Sequence, residues 1–311
     1  MTPGPKLREV TSGLRFPEGP VAMADGSVLV VEIEGRRLTR IAPDGRKTTV
    51  SEHKGGPNGA AIGPDGKVYV CNNGGFSWHE DPKHGLRPTG QPADYSGGSI
   101  ERVDIATGKV ETLYTECDGH PLRGPNDIVF DAHGGFYFTD LGKTRAREMD
   151  RGGVYYAKAD GSLIKAVAYP TITANGCSLS PDGTVLYFAE TESARLWAMD
   201  ILSPGEVKRE PWPSVHGGRL IGCPGGYQRF DSMAVDGAGY ICVATLLNGG
   251  ITVFSPDGKG WTHIPMPDVY TTNICFGGPD LRTAYVTLSG AGKLVAFEWE
   301  RPGLRLNYQQ V

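Results

Sequence analysis

Short apolar segments alternate with turn residues along almost the whole chain, and six stretches share one arrangement. In each stretch a polar residue opens an apolar segment, a turn position follows seven residues later, and a second apolar segment begins after the turn. The six opening residues, called the ring residues below, are Glu18, Asn58, Asn126, Asn175, Asp231 and Asn273. Apolar runs bounded by Gly, Pro, Asn and Asp are typical of strands joined by tight turns. Each stretch therefore predicts two adjacent antiparallel strands.

Two further strands are predicted after each pair. The third strand is expected at positions such as Arg37–Ile41, Ser99–Val103 and Lys293–Glu298, and Asp-Gly or Thr-Gly turns lead from it into a fourth. Four strands repeated six times are typical of a radial architecture. We therefore predict an all-β fold, a six-bladed β-propeller with four antiparallel strands per blade, in which residues 1–311 form a single domain.

The chain begins out of phase with its own repeat. Lys6–Ser12 has the pattern of the fourth strand that precedes every later stretch, so we expect it to complete the last blade and close the ring. The C-terminal segment Leu304–Val311 also has the pattern of a strand and is a second candidate for that edge.

The composition agrees with a strand-rich fold. The chain contains 45 Gly and 23 Pro, and its longest run without either covers residues 184–203. Interior Gly and Pro disrupt helices, which excludes a helical bundle and an α/β fold. The formal net charge of −4 comes without any block of like charge, which argues against nucleic acid and membrane surfaces as partners.

The cysteines and the N-terminus indicate a cytoplasmic location. The six cysteines are scattered, with neither a C-x-x-C pair nor a zinc-site spacing, and most fall inside apolar strands, as buried thiols do. The N-terminus lacks the apolar core of a signal peptide, and no apolar run is long enough for a membrane helix.

Two segments, Gly74–Gly98 and Trp212–Phe230, are longer than the repeat requires. Both contain aromatic residues, and the second also contains Arg229. Long loops in compact domains commonly act as lids or binding loops, so we expect both segments beside the channel, with disordered insertions as the alternative.

The ring residues are the strongest candidates for chemistry. The innermost strands of a propeller line its channel, so these six side chains are expected to meet at one mouth. Two carboxylates and four amides form an oxygen-rich set that hard divalent cations accept, and buried polar groups need partners. We therefore expect a metal ion or ligand in the central channel. The alternative is that Asn-Gly pairs such as Asn58-Gly59 only form turns at the strand starts.

Other catalytic signatures are missing from the sequence. No G-x-S-x-G nucleophile motif, phosphate-binding loop or dinucleotide-binding motif occurs, and the seven histidines show no paired metal-ligand spacing.

Five motifs follow one another in order between about residues 14 and 298. They are Phe16-Pro-Glu18-Gly-Pro, Gly124-Pro-Asn126-Asp127, Tyr137-Phe-Thr-Asp140, Asn175-Gly-Cys-Ser-Leu-Ser-Pro-Asp-Gly183 and Asp231-Ser-Met-Ala-Val-Asp236. As a set they resemble the gluconolactonase, senescence-marker-protein and luciferin-regenerating-enzyme family. The resemblance implies a six-bladed propeller with one divalent cation in the channel.

The same resemblance implies roles for individual residues. Glu18, Asn175 and Asp231 correspond to metal ligands, and Asn126 to an amide that contacts metal or substrate. Calcium is the first choice of metal, with zinc, magnesium or manganese as alternatives. Animal members carry an arginine two residues before the third ring asparagine, where it contacts sugar lactones, whereas this chain has Gly124 there and Arg123 one residue farther away.

These observations predict a metal-dependent hydrolase that opens a small-molecule lactone. The cation would polarise the carbonyl, and Asp231 would act as ligand and general base, with a hydroxide held by the cation as the alternative base. Asn58, Asn126, Asn273 and Asp127 are the expected substrate-binding residues, with support of the metal ligands as a second possible role for Asp127. An esterase at the same metal, or a binding propeller without activity, is the alternative function. The sequence leaves the oligomeric state open.

Overall fold

The structure is a computed structural model that describes residues 4–309. These residues form strands and turns, with no helix among them and hence none that could span a membrane. Six antiparallel sheets are arranged as the blades of a propeller, which confirms the predicted fold class.

The strands are numbered in chain order, and each blade is given from its innermost strand outwards. The first three blades contain β2 Pro17–Ala22, β3 Val28–Glu32, β4 Arg37–Ile41 and β5 Lys47–Glu52; β6 Pro57–Ile62, β7 Val68–Asn72, β10 Ser99–Val103 and β11 Val110–Tyr114; and β14 Pro125–Phe130, β15 Gly135–Asp140, β16 Gly152–Lys158 and β17 Ile164–Thr171. The last three contain β18 Ala174–Leu179, β19 Val185–Glu190, β20 Arg195–Ser203, β21 Glu206–Val207 and β22 Arg219–Gly222; β23 Arg229–Val235, β24 Ile241–Leu246, β25 Gly250–Phe254 and β26 Trp261–Pro265; and β27 Thr271–Gly277, β28 Thr283–Leu288, β29 Lys293–Glu298 and β1 Arg8–Thr11. Two short hairpins interrupt this order. The first, β8 Trp78–Asp81 with β9 Gly85–Pro88, lies between β7 and β10 of blade two, and the second, β12 Glu116–Cys117 with β13 His120–Pro121, lies between blades two and three along the chain.

The hydrophobic core consists of separate layers between neighbouring blades. Six clusters of buried apolar side chains each join two adjacent sheets, for example Val30 of blade one with Tyr285 of blade six. The second strands β3, β7 and β15 are buried on both faces, which explains their nearly continuous apolar sequences.

The N-terminal strand closes the ring. In β1, Arg8 pairs with Ala296 of β29, so the first strand of the chain is the outer strand of the sixth blade. The tail does not compete for this edge, and the strand expected at Leu304–Val311 is absent from its described part, residues 304–309. The tail instead crosses the mouth opposite the ring residues, where Gln309 Nε2 donates to the carbonyls of Ala22 and Phe276.

Blade four departs from the regular repeat. Its third strand, β20, is nine residues long, and both β21 and β22 pair with it. The segment Trp212–Phe230 therefore supplies an outer strand as well as a loop, so the interpretation of the whole segment as a loop was wrong.

The hairpin β8–β9 packs beside the ring-residue mouth. Its Leu86 is buried against Phe16 and Ile33, and Trp78 packs with its ring centroid 5.0 Å from that of Phe16. Lys143 supports the same region from the side, because its Nζ donates to the Gly75 carbonyl at 2.6 Å and lies 4.2 Å from the centroid of the Phe76 ring.

Candidate functional site

A break in strand register accompanies the ring residue of every blade. In β6, Pro57 pairs with Asn72 and Ala60 with Val70, which leaves Asn58 and Gly59 outside the regular ladder. The other five inner strands also shift register, either at the ring residue or directly beside it. Such bulges redirect side chains, and here they occur where the inner strands reach the channel mouth.

Glycines after three ring residues allow the inner strands to approach one another. A Cβ on Gly59 would lie 2.4 Å from the Asn126 carbonyl oxygen, and a Cβ on Gly176 would lie 2.6 Å from that of Asp231. Gly19 meets the Asn58 carbonyl in the same way and has a φ of +50°. Each glycine therefore lets the backbone of one blade rest on the ring residue of the next blade.

A cavity of about 320 Å³ opens at this mouth. Five ring residues line it, namely Glu18, Asn58, Asn126, Asn175 and Asp231, and all five are buried. A second cavity of about 70 Å³ lies further along the channel, between apolar inner-strand residues and the tail. The larger cavity is the candidate site because it combines access from outside with the polar ring.

Asn273, the sixth ring residue, lies behind Glu18 and does not line the mouth cavity. Its Nδ2 donates to Glu18 Oε2 at 2.7 Å, and its Oδ1 accepts from the Ile274 amide. The Gly19 amide donates to the same Glu18 oxygen at 2.7 Å. Two donors therefore fix the Glu18 carboxylate.

Asp127 also lies below the mouth cavity. Its carboxylate accepts from the amides of Ile128 and Cys177, at 3.0 and 3.1 Å. Burial raises the pKa of Asp127 to about 7, against the opposing effect of these donors. The residue thereby joins the inner strands of blades three and four.

The two ring carboxylates lie in a strongly desolvated site. Burial raises the pKa of Glu18 well above its ordinary value, and the negative charge of Asp231 raises it further. Burial likewise raises the pKa of Asp231, against a hydrogen bond from Asn175. Low polarity and like charge both disfavour ionisation, so a positive charge between these groups would stabilise their ionised forms.

The ring amides present oxygen atoms to the same region. Asn126 Oδ1 is buried and has no hydrogen-bond partner among the described residues. Asn175 Nδ2 donates to Thr191 at 3.0 Å, while its Oδ1 lies 3.5 Å from the Ser232 hydroxyl. Within residues 4–309 no cluster of three His, Cys, Asp or Glu side chains could hold a metal. A cation at the ring would therefore depend on amide oxygens, which Ca²⁺ accepts, together with the two carboxylates.

Further residues of the mouth were not assigned from the sequence. Phe16, Tyr270, Thr191 and Glu192 line the cavity together with Arg229, which the sequence only placed in a long segment. Thr191 and Glu192 directly follow β19, the second strand of blade four, and their place at the end of this strand was the available signal. Arg123 is exposed and does not line the cavity.

Comparison with known proteins gives the family. The model of the SMP-30/Gluconolactonase/LRE-like region matches residues 16–290. The chain belongs to this family. Among curated relatives, it is 29% identical over 270 residues to the lactonase drp35 of Staphylococcus saprophyticus, covering 86% of this chain and 74% of that protein. It is 26% identical over 303 residues to the gluconolactonase of Zymomonas mobilis, covering 87% and 76% respectively.

Two solved structures share the fold of this chain. A gluconolactonase from Xanthomonas campestris superposes with a TM-score of 0.72 at 23% identity, covering 94% of this chain and 89% of that one. A calcium-binding protein, regucalcin, from Agrobacterium tumefaciens gives 0.70 at 22% identity, covering 94% and 95%.

Proposed function

We propose that this protein is a metal-dependent hydrolase that opens small-molecule lactones. The observation that carries the proposal lies at the end of the mouth cavity, where two buried carboxylates share one site with Asn126 Oδ1, which has no hydrogen-bond partner in the described part of the chain. The relatives named lactonase and gluconolactonase support the reaction class.

The ring fits a divalent cation by its chemistry. Glu18, Asn175 and Asp231 would hold it, with Asn126 Oδ1 as a further oxygen for cation or substrate. Two carboxylates with amide oxygens favour calcium, since zinc sites are mostly built from sulfur and nitrogen ligands. When bound, the cation supplies positive charge that polarises the lactone carbonyl, an effect of several kcal/mol.

The chain's own residues would position the substrate and move the proton. Asp231 would accept a proton from the attacking water at its carboxylate. Asn58 and Asn126 orient the lactone from the ring. Asn273 and Asp127 would not contact the substrate as expected, because neither lines the mouth cavity. Asn273 would instead hold Glu18 in place, and Asp127 would join the inner strands of blades three and four.

A cytoplasmic location is part of the proposal. All six cysteines are free, five of them buried, and secreted proteins commonly use disulfides instead. The expected partner is the small-molecule substrate.

Two substitutions test the role of Asp231. Asp231→Asn keeps an oxygen near the ring but removes the base, so we expect turnover to fall about 10²- to 10⁴-fold. Asp182→Asn, in an exposed turn of blade four, is the matched control and should behave as the unmodified protein. Near-normal turnover in Asp231→Asn protein, with its metal content verified by elemental analysis, would exclude Asp231 as the base.

A further inference from the structure

The hydroxyl group of Thr139 connects the inner strands of blades three and four. Thr139 is the next-to-last residue of β15, and it is completely buried. Its Oγ1 accepts a 3.0 Å hydrogen bond from the Asp127 amide in β14 and donates to the Asn175 carbonyl in β18. Because the hydroxyl acts as donor to one strand and as acceptor from the other, its orientation is fixed.

The breaks in strand register create the need for this connection. In β14, Asp127 falls within the break, outside the ladder to β15. In β18, Asn175 falls within the corresponding break. Buried main-chain groups that lose their ladder partners must find others, and here one hydroxyl serves a donor of one blade and an acceptor of the next. The Thr139 side chain therefore sets the spacing of two inner strands where they reach the mouth.

Asp140, the next residue along β15, holds the main chain that leads into Asn126. One of its carboxylate oxygens accepts from the Arg123 amide at 2.7 Å. The other accepts from the amides of Gly124 and Gly142, at 2.7 and 2.8 Å. Asp140 is buried, and Arg123 and Gly124 lie just before Asn126 in the sequence. The carboxylate thereby fixes the entry of the third ring residue.

The position of Asn126 depends on these two neighbours. Its Oδ1 is buried and has no hydrogen-bond partner among residues 4–309, so the direction of this oxygen is set by the main chain on either side. Asp140 holds the amides before Asn126, and Thr139 holds the amide after it. The last two residues of β15 therefore support one ring residue from both sides.

We infer that Thr139 and Asp140 are positioning residues, which place the side chains of Asn126 and Asn175 for a ligand of the mouth cavity. Neither of the two lines that cavity, so both act through the ring residues. The inference rests on the cation site of the proposed function and adds the contacts that keep its geometry. Their loss should weaken cation binding by more than a general loss of stability does.

The first test removes the Thr139 hydroxyl group. Thr139→Val has nearly the same shape, and we expect calcium affinity, measured by calorimetric titration, to fall about 10- to 100-fold. Thr139→Ser keeps the hydroxyl and should bind calcium as the unmodified protein does. The matched control is Thr245→Val, because Thr245 has the same place in β24 and is equally buried, yet its hydroxyl contacts Val243 and Thr252 within blade five.

The two valine variants should both have a lower Tm, and only Thr139→Val should lose calcium affinity. Equal affinities in these two proteins would overturn the role of Thr139. An affinity in Thr139→Ser protein as low as that in Thr139→Val protein would overturn it as well, since the hydroxyl is restored there.

The second test concerns Asp140. Asp140→Asn replaces an accepting oxygen with an NH₂ group, so a main-chain donor loses its partner, and we expect calcium affinity to fall about tenfold. The control is Asp131→Asn in the same blade. Asp131 is also a buried carboxylate that accepts from main-chain amides, those of His133 and Gly135, but it lies at the opposite end of β14. Equal affinities in the two variants would overturn the role of Asp140.

Hydrogen exchange separates this inference from the proposed function. The exchange rate of the Asp127 amide is measured by NMR in calcium-free protein. We expect it to rise about tenfold in Thr139→Val protein, where the amide has lost its acceptor, and to stay unchanged in Thr245→Val protein. An unchanged rate in Thr139→Val protein would overturn the inference. If the unmodified protein binds no calcium, the proposed cation site fails, while the exchange rate still decides whether Thr139 holds the two strands.

Discussion

Asn273 Nδ2 donates a 2.7 Å hydrogen bond to Glu18 Oε2, and this bond joins the last inner strand of the propeller to the first. The contact is buried, and it fixes the orientation of a carboxylate that faces the mouth cavity. The same bond therefore links the first and last inner strands and helps to set the geometry of the candidate metal site.

Replacing Asn273 should weaken cation binding without unfolding the protein. In Asn273→Ala, Glu18 loses one of its two donors, and loss of such a supporting contact typically costs 10- to 100-fold in metal affinity. Calorimetric titration with calcium chloride measures the change. Asn307→Ala is the control, because Asn307 donates to the Phe130 carbonyl at the opposite mouth. Unchanged calcium affinity in Asn273→Ala protein would show that the bond does not shape the site.

The inner strands of blades four and five lie so close together that a single added methyl group should destabilise the protein. In Gly176→Ala the new methyl group would lie 2.6 Å from the Asp231 carbonyl oxygen and 2.9 Å from the Met233 nitrogen, so backbone must move. We expect a loss of about 1–3 kcal/mol in the free energy of unfolding, and weaker calcium binding.

The control for this prediction is Gly260→Ala. A Cβ there has no neighbour nearer than 4.0 Å, and stability should be almost unchanged. If both variants unfold at the same denaturant concentration, the close contact between the inner strands of blades four and five does not exclude a side chain at position 176.

Lys143 predicts a pH dependence of stability. Burial lowers its pKa to about 7 in the folded protein, against about 10.4 in an unfolded chain. Between these values the unfolded chain holds a proton that the folded protein lacks, so this residue makes stability rise with pH from about 7 to about 10. Lys143→Met protein lacks this contribution.

The measurement is the difference in Tm between unmodified and Lys143→Met proteins across this range. We expect the difference to move in favour of the unmodified protein as pH rises. Lys259→Met, at a largely exposed side chain, should follow the unmodified protein throughout. A difference that stays constant from pH 7 to 10 would contradict a depressed pKa at Lys143.

The inner part of each blade could be predicted because its sequence pattern is local. The seven-residue offset located the ring residues, and the third strands Arg37–Ile41, Ser99–Val103 and Lys293–Glu298 match β4, β10 and β29. Turn residues and apolar segments fix these elements without information from distant parts of the chain.

The outer elements depend on contacts that the local pattern does not encode. β22 becomes a strand because the extended β20 offers it an edge, and the tail follows the channel mouth because Leu304 and Leu306 find an apolar cavity there. Asn273 opens its apolar segment at the same place as the other ring residues, and its hydrogen bond to Glu18 becomes visible only when the ring is closed.

The central claim is that lactone opening requires a cation at the ring, and a single assay tests it. The rate of D-glucono-1,5-lactone and δ-valerolactone opening is measured with a pH indicator, first on chelated protein shown by elemental analysis to be metal-free, then after reloading with calcium. The account predicts at least a hundredfold loss on chelation and recovery on reloading for a lactone that the protein accepts. Full activity in the metal-free protein, or no opening of either lactone by the calcium-loaded protein, would contradict it.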